Sequence, residues 1–183
     1  ICLIRKGKQD EKRFPMENRR FWLIPTYKHQ SEDMIQPFYR EYLDDTEEER
    51  EEAGENGVRM QSWAEAKTLL KIRKNERLNW LTDYVVYSPR CLQTRFQLQP
   101  NEAVHMLIAR RYSLPDPRVL PSKPEYSNCT DDNPEGAWTQ IDQRIPLQAD
   151  NPAVGEAEFQ EQKEEIRQRF IRDGDDSPRP MMF

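Results

Sequence analysis

Apolar residues recur along this chain in short runs that proline, glycine and charge keep interrupting, and the longest stretch readable as one element runs from Ser62 to Tyr87. Ser62 and Glu65 stand at capping-box spacing. At about 100° per residue, Trp63, Ala66, Leu69, Leu70, Trp80, Leu81 and Tyr84 share one sector of about 120°, which predicts a long amphipathic central helix. Arg73 and Arg77 fall inside that sector, while Lys67, Lys71 and Lys74 form a separate stripe. Arginines on an apolar face are costly to bury unless carboxylates or phosphates pair with them. The two arginines therefore either snorkel or meet the chain's own acids at 44–55, an acidic partner protein or nucleic-acid phosphate. The lysine stripe faces water or an anionic neighbour, and all five are candidate partner or phosphate contacts.

Elsewhere the pattern predicts shorter pieces. Met34, Ile35, Phe38, Tyr39 and Tyr42 recur at three and four residues, and Pro37 splits them into a turn before it and another after it; aromatics so spaced read as packing residues. Thr46 and Glu49 sit at capping-box spacing at the head of an acidic helix that Gly54 stops. Tyr84 to Tyr87 favours β structure, and Leu92, Thr94, Phe96 and Leu98 alternate with polar residues as a strand would. Glu102 to Tyr112, capped by Asn101, is the most hydrophobic segment and predicts a buried second helix.

From Ser113 to Pro152 seven prolines favour an extended strap over ladders or helices. Tyr126, Trp138, Ile141, Ile145 and Leu147 would anchor it, on a neighbour or on the chain's own helices. Asn151-Pro152 then reads as a helix start and Gly174 as its stop, with Phe159, Lys163, Ile166 and Phe170 marking a narrow stripe. So narrow a stripe, with Phe159, Ile166 and Phe170 as its apolar members, suits a helix laid across a partner; the alternative is a solvent-facing helix on the protein's own body. The reading gives an α+β chain, mainly helical and irregular, with a small two- or three-stranded sheet. Its parts are a basic arm (1–45), a body (46–112), the strap (113–152) and a C-terminal helix with tail (153–183).

Composition changes this picture in one respect. Leu, Ile, Val and Phe number 36 of 183 while a third of the chain is charged, and there are 14 prolines. Such a chain is expected to gain much of its order from neighbouring subunits rather than from its own core. Charge is arranged in blocks: residues 1–29 sum to +5, residues 30–60 to −8, residues 61–111 to +5, and the last two blocks, 112–152 and 153–183, to −4 and −3. In the first block Arg19 and Arg20 precede the apolar quartet Phe21 to Ile24, which contains Trp22. Basic residues beside aromatics can hold RNA by phosphate contact and base stacking, and equally can lie as an arm over an acidic protein surface, the quartet serving as a short strand or anchor.

The candidate chemistry is sparse. Cys2, Cys91 and Cys129 form no CxxC pair and leave one unpaired, which points to a reducing compartment; Asn128-Cys129-Thr130 fits the glycosylation sequon without a secretory context. Ile at position 1 fits a chain processed from a precursor, as removal of an organellar transit peptide would leave it. The longest apolar run is far short of a membrane span. His105, among apolar residues, reads as a core histidine, and the glutamates at 47–52 point around their helix rather than to one metal centre. No phosphate-cradling, zinc or nucleophile motif appears, so neither cofactor nor metal is expected. The expectation is a non-catalytic accessory subunit of a large assembly, a mitochondrial ribosome first and the matrix side of a respiratory or ATP synthase complex second, with protein partners and RNA contact through the basic blocks. A small enzyme with an unrecognised site is the third alternative.

Overall fold

The computed structural model describes residues 1–6, 18–25, 31–54, 57–97, 104–123, 126, 141, 145–147 and 151–171. Its frame is an antiparallel ribbon of two long strands, β3 (Gly57–Ile72) and β4 (Val104–Pro121), paired from Gly57 opposite Pro121 to Ile72 opposite Val104. Along the outer edge of β4 lies β1 (Cys2–Lys6), and β2 (Arg20–Trp22) lies along the middle of β3. The four strands form one antiparallel sheet in the order β1, β4, β3, β2. The class is α+β, but the expected mainly helical body with a small two- or three-stranded sheet is overturned.

The expected central helix is β3 followed by a 3₁₀ turn (Asn75–Arg77) and the single helical turn α2 (Leu78–Leu81). The reason lies in a bulge. Between Ala66 and Thr68 the register slips by one residue, while β4 runs without a slip from Tyr112 to Val104. Trp63 opposite Tyr112 and Leu70 opposite Met106 therefore share a face, although seven residues separate them and regular alternation would put them on opposite faces. Seven residues is also two helical turns, which is why the pattern imitates a helix.

Two further elements exchange identity for related reasons. The expected strand at Leu92 to Leu98 is helix α3 (Pro89–Gln97), which begins with proline at its first position and has the Ser88 hydroxyl accepting a bond from Cys91 N–H at 3.2 Å. Its buried Leu92 and Phe96 are four apart, a spacing that both periods allow. The expected helix at Glu102 to Tyr112 is the first half of β4, where Val104, Met106, Leu107, Ile108 and Ala109 are all buried. A continuous apolar run is what a strand covered on both faces requires. Pro115 and Pro117 lie in the slip between Ser113 and Arg118, where β4 has no ladder to lose.

The acidic helix is α1 (Tyr42–Ala53), and it ends at Gly54 with φ +76° as its sequence predicts. It starts four residues before Thr46, whose hydroxyl bonds back to the Leu43 carbonyl at 2.7 Å instead of capping. The C-terminal helix α4 (Glu156–Ile171) starts after Gly155; Asn151 and Pro152 meet β4 instead, at Ser113 and Tyr112. The two expected turns around Pro37 are 3₁₀ turns at Glu32–Met34 and Pro37–Tyr39. Trp138 and Gly174 lie outside the described residues.

The described residues have a core of their own. Helices α2, α3 and α4 lie on one face of the sheet and bury Leu70, Ile72, Val104, Met106 and Ile108 beneath Leu81, Leu92, Phe96, Phe159 and Phe170. A second cluster of Val58, Met60, Leu120 and Tyr126 takes Ile141 and Ile145 against it, so three of the expected strap anchors meet this chain's own sheet. Burying a side chain of this kind contributes about 1.5–3 kcal/mol, so these described residues gain order from the chain's own packing.

Two substitutions test this packing. A Cβ at Gly57 would stand 1.9 Å from the Ala53 carbonyl oxygen and 2.9 Å from Val119 Cγ1. Backbone cannot step aside as a side-chain tip can, so Gly57→Ala is expected to cost about 2 kcal/mol or more in urea unfolding; a loss under about 0.5 kcal/mol would contradict the approach of α1 to β3. Arg77 is buried, donates from Nη1 to the Phe170 carbonyl at 2.8 Å, and lies over Trp80. Arg77→Ala is expected to cost about 2–4 kcal/mol, whereas exposed Arg73→Ala should cost under about 1 kcal/mol. Equal effects would show that Arg77 does not hold the end of α4.

Candidate docking surface

The cations that the sequence singled out are dispersed by the fold. Lys67 stands at the bulge of β3 and pairs with Glu65 at 3.0 Å, Lys71 faces His105 across the ladder, and exposed Arg73 and half-buried Lys74 follow the strand. Arg77 goes inward to the last turn of α4, where its charge also suits the negative end of the helix. Arg19 precedes β2, its carbonyl accepting from Ala66 N–H at 2.8 Å, and Arg20 opens the strand with its guanidinium 5.8 Å from the ring centre of Trp63. Trp22, paired with Trp63, packs between the second cluster and the Trp63–Tyr112–Leu114 group. Phe159, Ile166 and Phe170 are buried in the main core, so the stripe of α4 is occupied by the chain's own sheet and helices.

Two polar constellations on the sheet's helical face hold structure together. Trp63 and Tyr112 stack with ring centres 4.1 Å apart, and Arg110 lies over Tyr112 while reaching Glu156 and, at 3.1 Å, the Val154 carbonyl. A side-chain bond from Gln160 and the positive charge of Arg110 hold the Glu156 carboxyl below the usual carboxylate range. Since this pKa is depressed in the folded chain, the pairing helps folding above the unfolded value and fades as pH falls through the folded one. Beside α4 a cleft of 510 Å³ is lined by Cys2, Asp83, Tyr84, Glu165 and Arg169. Its polar groups satisfy one another: Arg169 pairs with Asp83 at 2.6 Å and donates to Tyr84 Oη at 3.1 Å, and that hydroxyl donates to Glu165 at 3.3 Å. Burial pushes the Cys2 thiol up, which keeps it protonated and weakly nucleophilic at neutral pH. Among the described residues no group of three or more His, Cys, Asp or Glu is placed to hold a metal ion. Among them, too, no helix is long and apolar enough to cross a membrane.

The surface that stands apart is built by residues 31–53. Its first part is bolted to the body. Gln36 N–H donates to the Val86 carbonyl and Ser88 N–H to the Met34 carbonyl, each at 2.9 Å. The Gln36 amide adds bonds to the carbonyls of Thr82 at 2.8 Å and Val85 at 2.6 Å, and the Ser88 hydroxyl donates to the Asp33 carbonyl at 2.7 Å. A hydrogen bond from Ser31, with Arg90 at 3.0 Å, holds the Asp33 carboxyl low. Pro37 then starts a helical path that continues through Arg40 and Glu41, both right-handed, into α1. On it Phe38 is 74% exposed and Tyr42 52%. Met34, Ile35 and Tyr39 of the same segment are half-buried, so the spacing that predicts packing holds for three of the five residues and fails for Phe38 and Tyr42.

The aromatics stand at the head of a strongly acidic helix. Between Tyr42 and Ala53 seven acids face one base, Arg50. Among the described residues the only carboxylate of α1 in an ion pair is Glu52, with Arg59 of β3. Like charges four apart, as at Asp44 and Glu48 or Asp45 and Glu49, each cost a helix about 0.2–0.5 kcal/mol. Acids at Glu49, Glu51 and Glu52 also oppose the dipole at the negative end. This helix is kept by its Gly54 stop and its seat on β3, and its outer face is charged beyond what stability asks. The signal was in the sequence: a glutamate run following aromatics at helical spacing, with too few apolar residues in the run for those aromatics to be covered.

No curated protein and no solved structure matches this chain. A family model described as a domain of unknown function, DUF1802, matches residues 1–165, and with that coverage the chain belongs to the DUF1802 family.

Proposed function

We propose that this protein is a non-catalytic accessory subunit of a multi-subunit assembly, joined to its neighbours by protein contacts through Phe38, Tyr42 and the outer face of α1. The observation that carries this reading is the exposure of two large aromatics on a segment that hydrogen bonds hold rigid. Aromatic anchors dominate the binding energy of protein interfaces. An anchor already fixed in place gives up little conformational entropy on binding. Neither ring belongs to the core clusters of the described residues, which leaves both available to a partner.

The test is a tagged chain expressed in its native cell and recovered with its partners. Phe38→Ala with Tyr42→Ala is expected to leave the thermal midpoint within about 2 °C, because exposed side chains support little stability. The same double variant should lose the co-purifying subunits and sediment as the free chain. Retention of the complex would overturn the reading. Loss of the complex on nuclease treatment of the unaltered chain would place the contact on RNA, with Lys71, Arg73 and Lys74 as its phosphate ligands, and would also overturn it.

A further inference from the structure

Phe38, Tyr42, Asp45 and Glu49 follow one another at steps of four, three and four residues along the helical path that begins at Pro37. At about 100° per residue they fall within a stripe about 60° wide. The stripe runs on from Glu49 to Ala53, whose backbone approaches β3 at Gly57, and Leu43, Thr46, Glu49 and Ala53 are all half-buried, so its far end turns toward the sheet. Its first three members look outward, two aromatic rings followed by the Asp45 carboxylate. Asp44, Asp45 and Glu48 are exposed, and no cation of the described residues sits on them.

We infer that the partner at this surface presents a Lys/Arg-rich segment with an apolar anchor, the anchor seated on Phe38 and Tyr42 and the cations on the carboxylates of α1. This rests on the docking reading above and adds the partner's chemistry to it. Charge complementarity carries the inference. An acidic partner segment would meet the exposed acids of α1 at close range, and repulsion across an interface suppresses wrong partners strongly, while a neutral one would desolvate those acids without counter-charge. A cationic segment relieves the repulsion within the helix as it binds. The aromatics supply what a purely electrostatic contact lacks, a fixed register for the two chains.

The experiment uses the full chain and a fluorescein-labelled helical peptide of lysine and leucine, with its leucines on one face. Its counterpart carries glutamate at every lysine. Anisotropy titrations are expected to show binding of the lysine peptide alone, weakened several-fold between about 50 mM and about 300 mM salt as the contact is screened. Asp45→Lys with Glu48→Lys should weaken it by roughly tenfold or more, and Phe38→Ala with Tyr42→Ala by roughly tenfold. Glu158→Lys with Glu161→Lys, on the exposed side of α4, changes net charge by the same amount and should leave most of the affinity. Equal loss from the α4 reversal would mean nonspecific attraction to an acidic protein and overturn the inference. Self-association through Phe38 and Tyr42, seen by sedimentation, would overturn it as well. In native-cell recovery, a complex lost with the aromatic variant but kept with the α1 reversal would refute the cationic partner while leaving the docking surface in place.

Discussion

The pairing of β3 with β4, from Gly57 opposite Pro121 to Ile72 opposite Val104, is the constraint on which the other elements depend. Two strands of this length twist and offer little core unless something covers them. The chain between Ile72 and Val104 does part of that covering, because its ends are neighbours in the ladder and α2 and α3 return across one face. The C-terminal α4 completes the cover, with Phe159 at its start and Phe170 at its end both in the core. Arg77, leaving the turn after β3, fixes that far end by binding the Phe170 carbonyl. The sheet, the excursion and the last helix are thereby tied at a single buried point.

What remains outside this frame is the segment from Ser31 to Ala53. Its polar bonds reach the loop after α2 and the start of α3, and Glu52 and Ala53 reach β3. It is held without being buried. That combination separates it from Trp63, Tyr112 and Arg110, whose rings and charges are consumed within the fold. A rigid, acidic surface carrying Phe38 and Tyr42, the two exposed aromatics among the described residues, is the physical basis for reading the protein as a partner-binding subunit.

The sequence disclosed its punctuation better than its elements. Gly54 ends α1, Pro37 separates two turns, and Ser88-Pro89 opens α3, each because one residue's backbone chemistry decides the matter locally. The long strands were misread because a bulge at Lys67 is invisible in a pattern and converts period two into a spacing of seven. Val104 to Ala109 offered no period at all, and the short alternation at Leu92 to Phe96 fitted both periods. The apolar stripe of α4 was legible, but its cover was not, since a stripe does not say whether its own chain or another fills it. Arg77 was expected against a carboxylate or phosphate, and its Nη1 donates to a helix-terminal carbonyl 93 residues away, which no local pattern announces.

Native-state hydrogen exchange followed amide by amide tests the frame most directly. The amides of β3 from Thr68 to Ile72 and of β4 from Val104 to Ala109 are expected to exchange only through global unfolding, while those of α1 open at clearly lower free energy. Amides of α1 as slowly exchanging as those of the ladder, or ladder amides that open first, would contradict that frame.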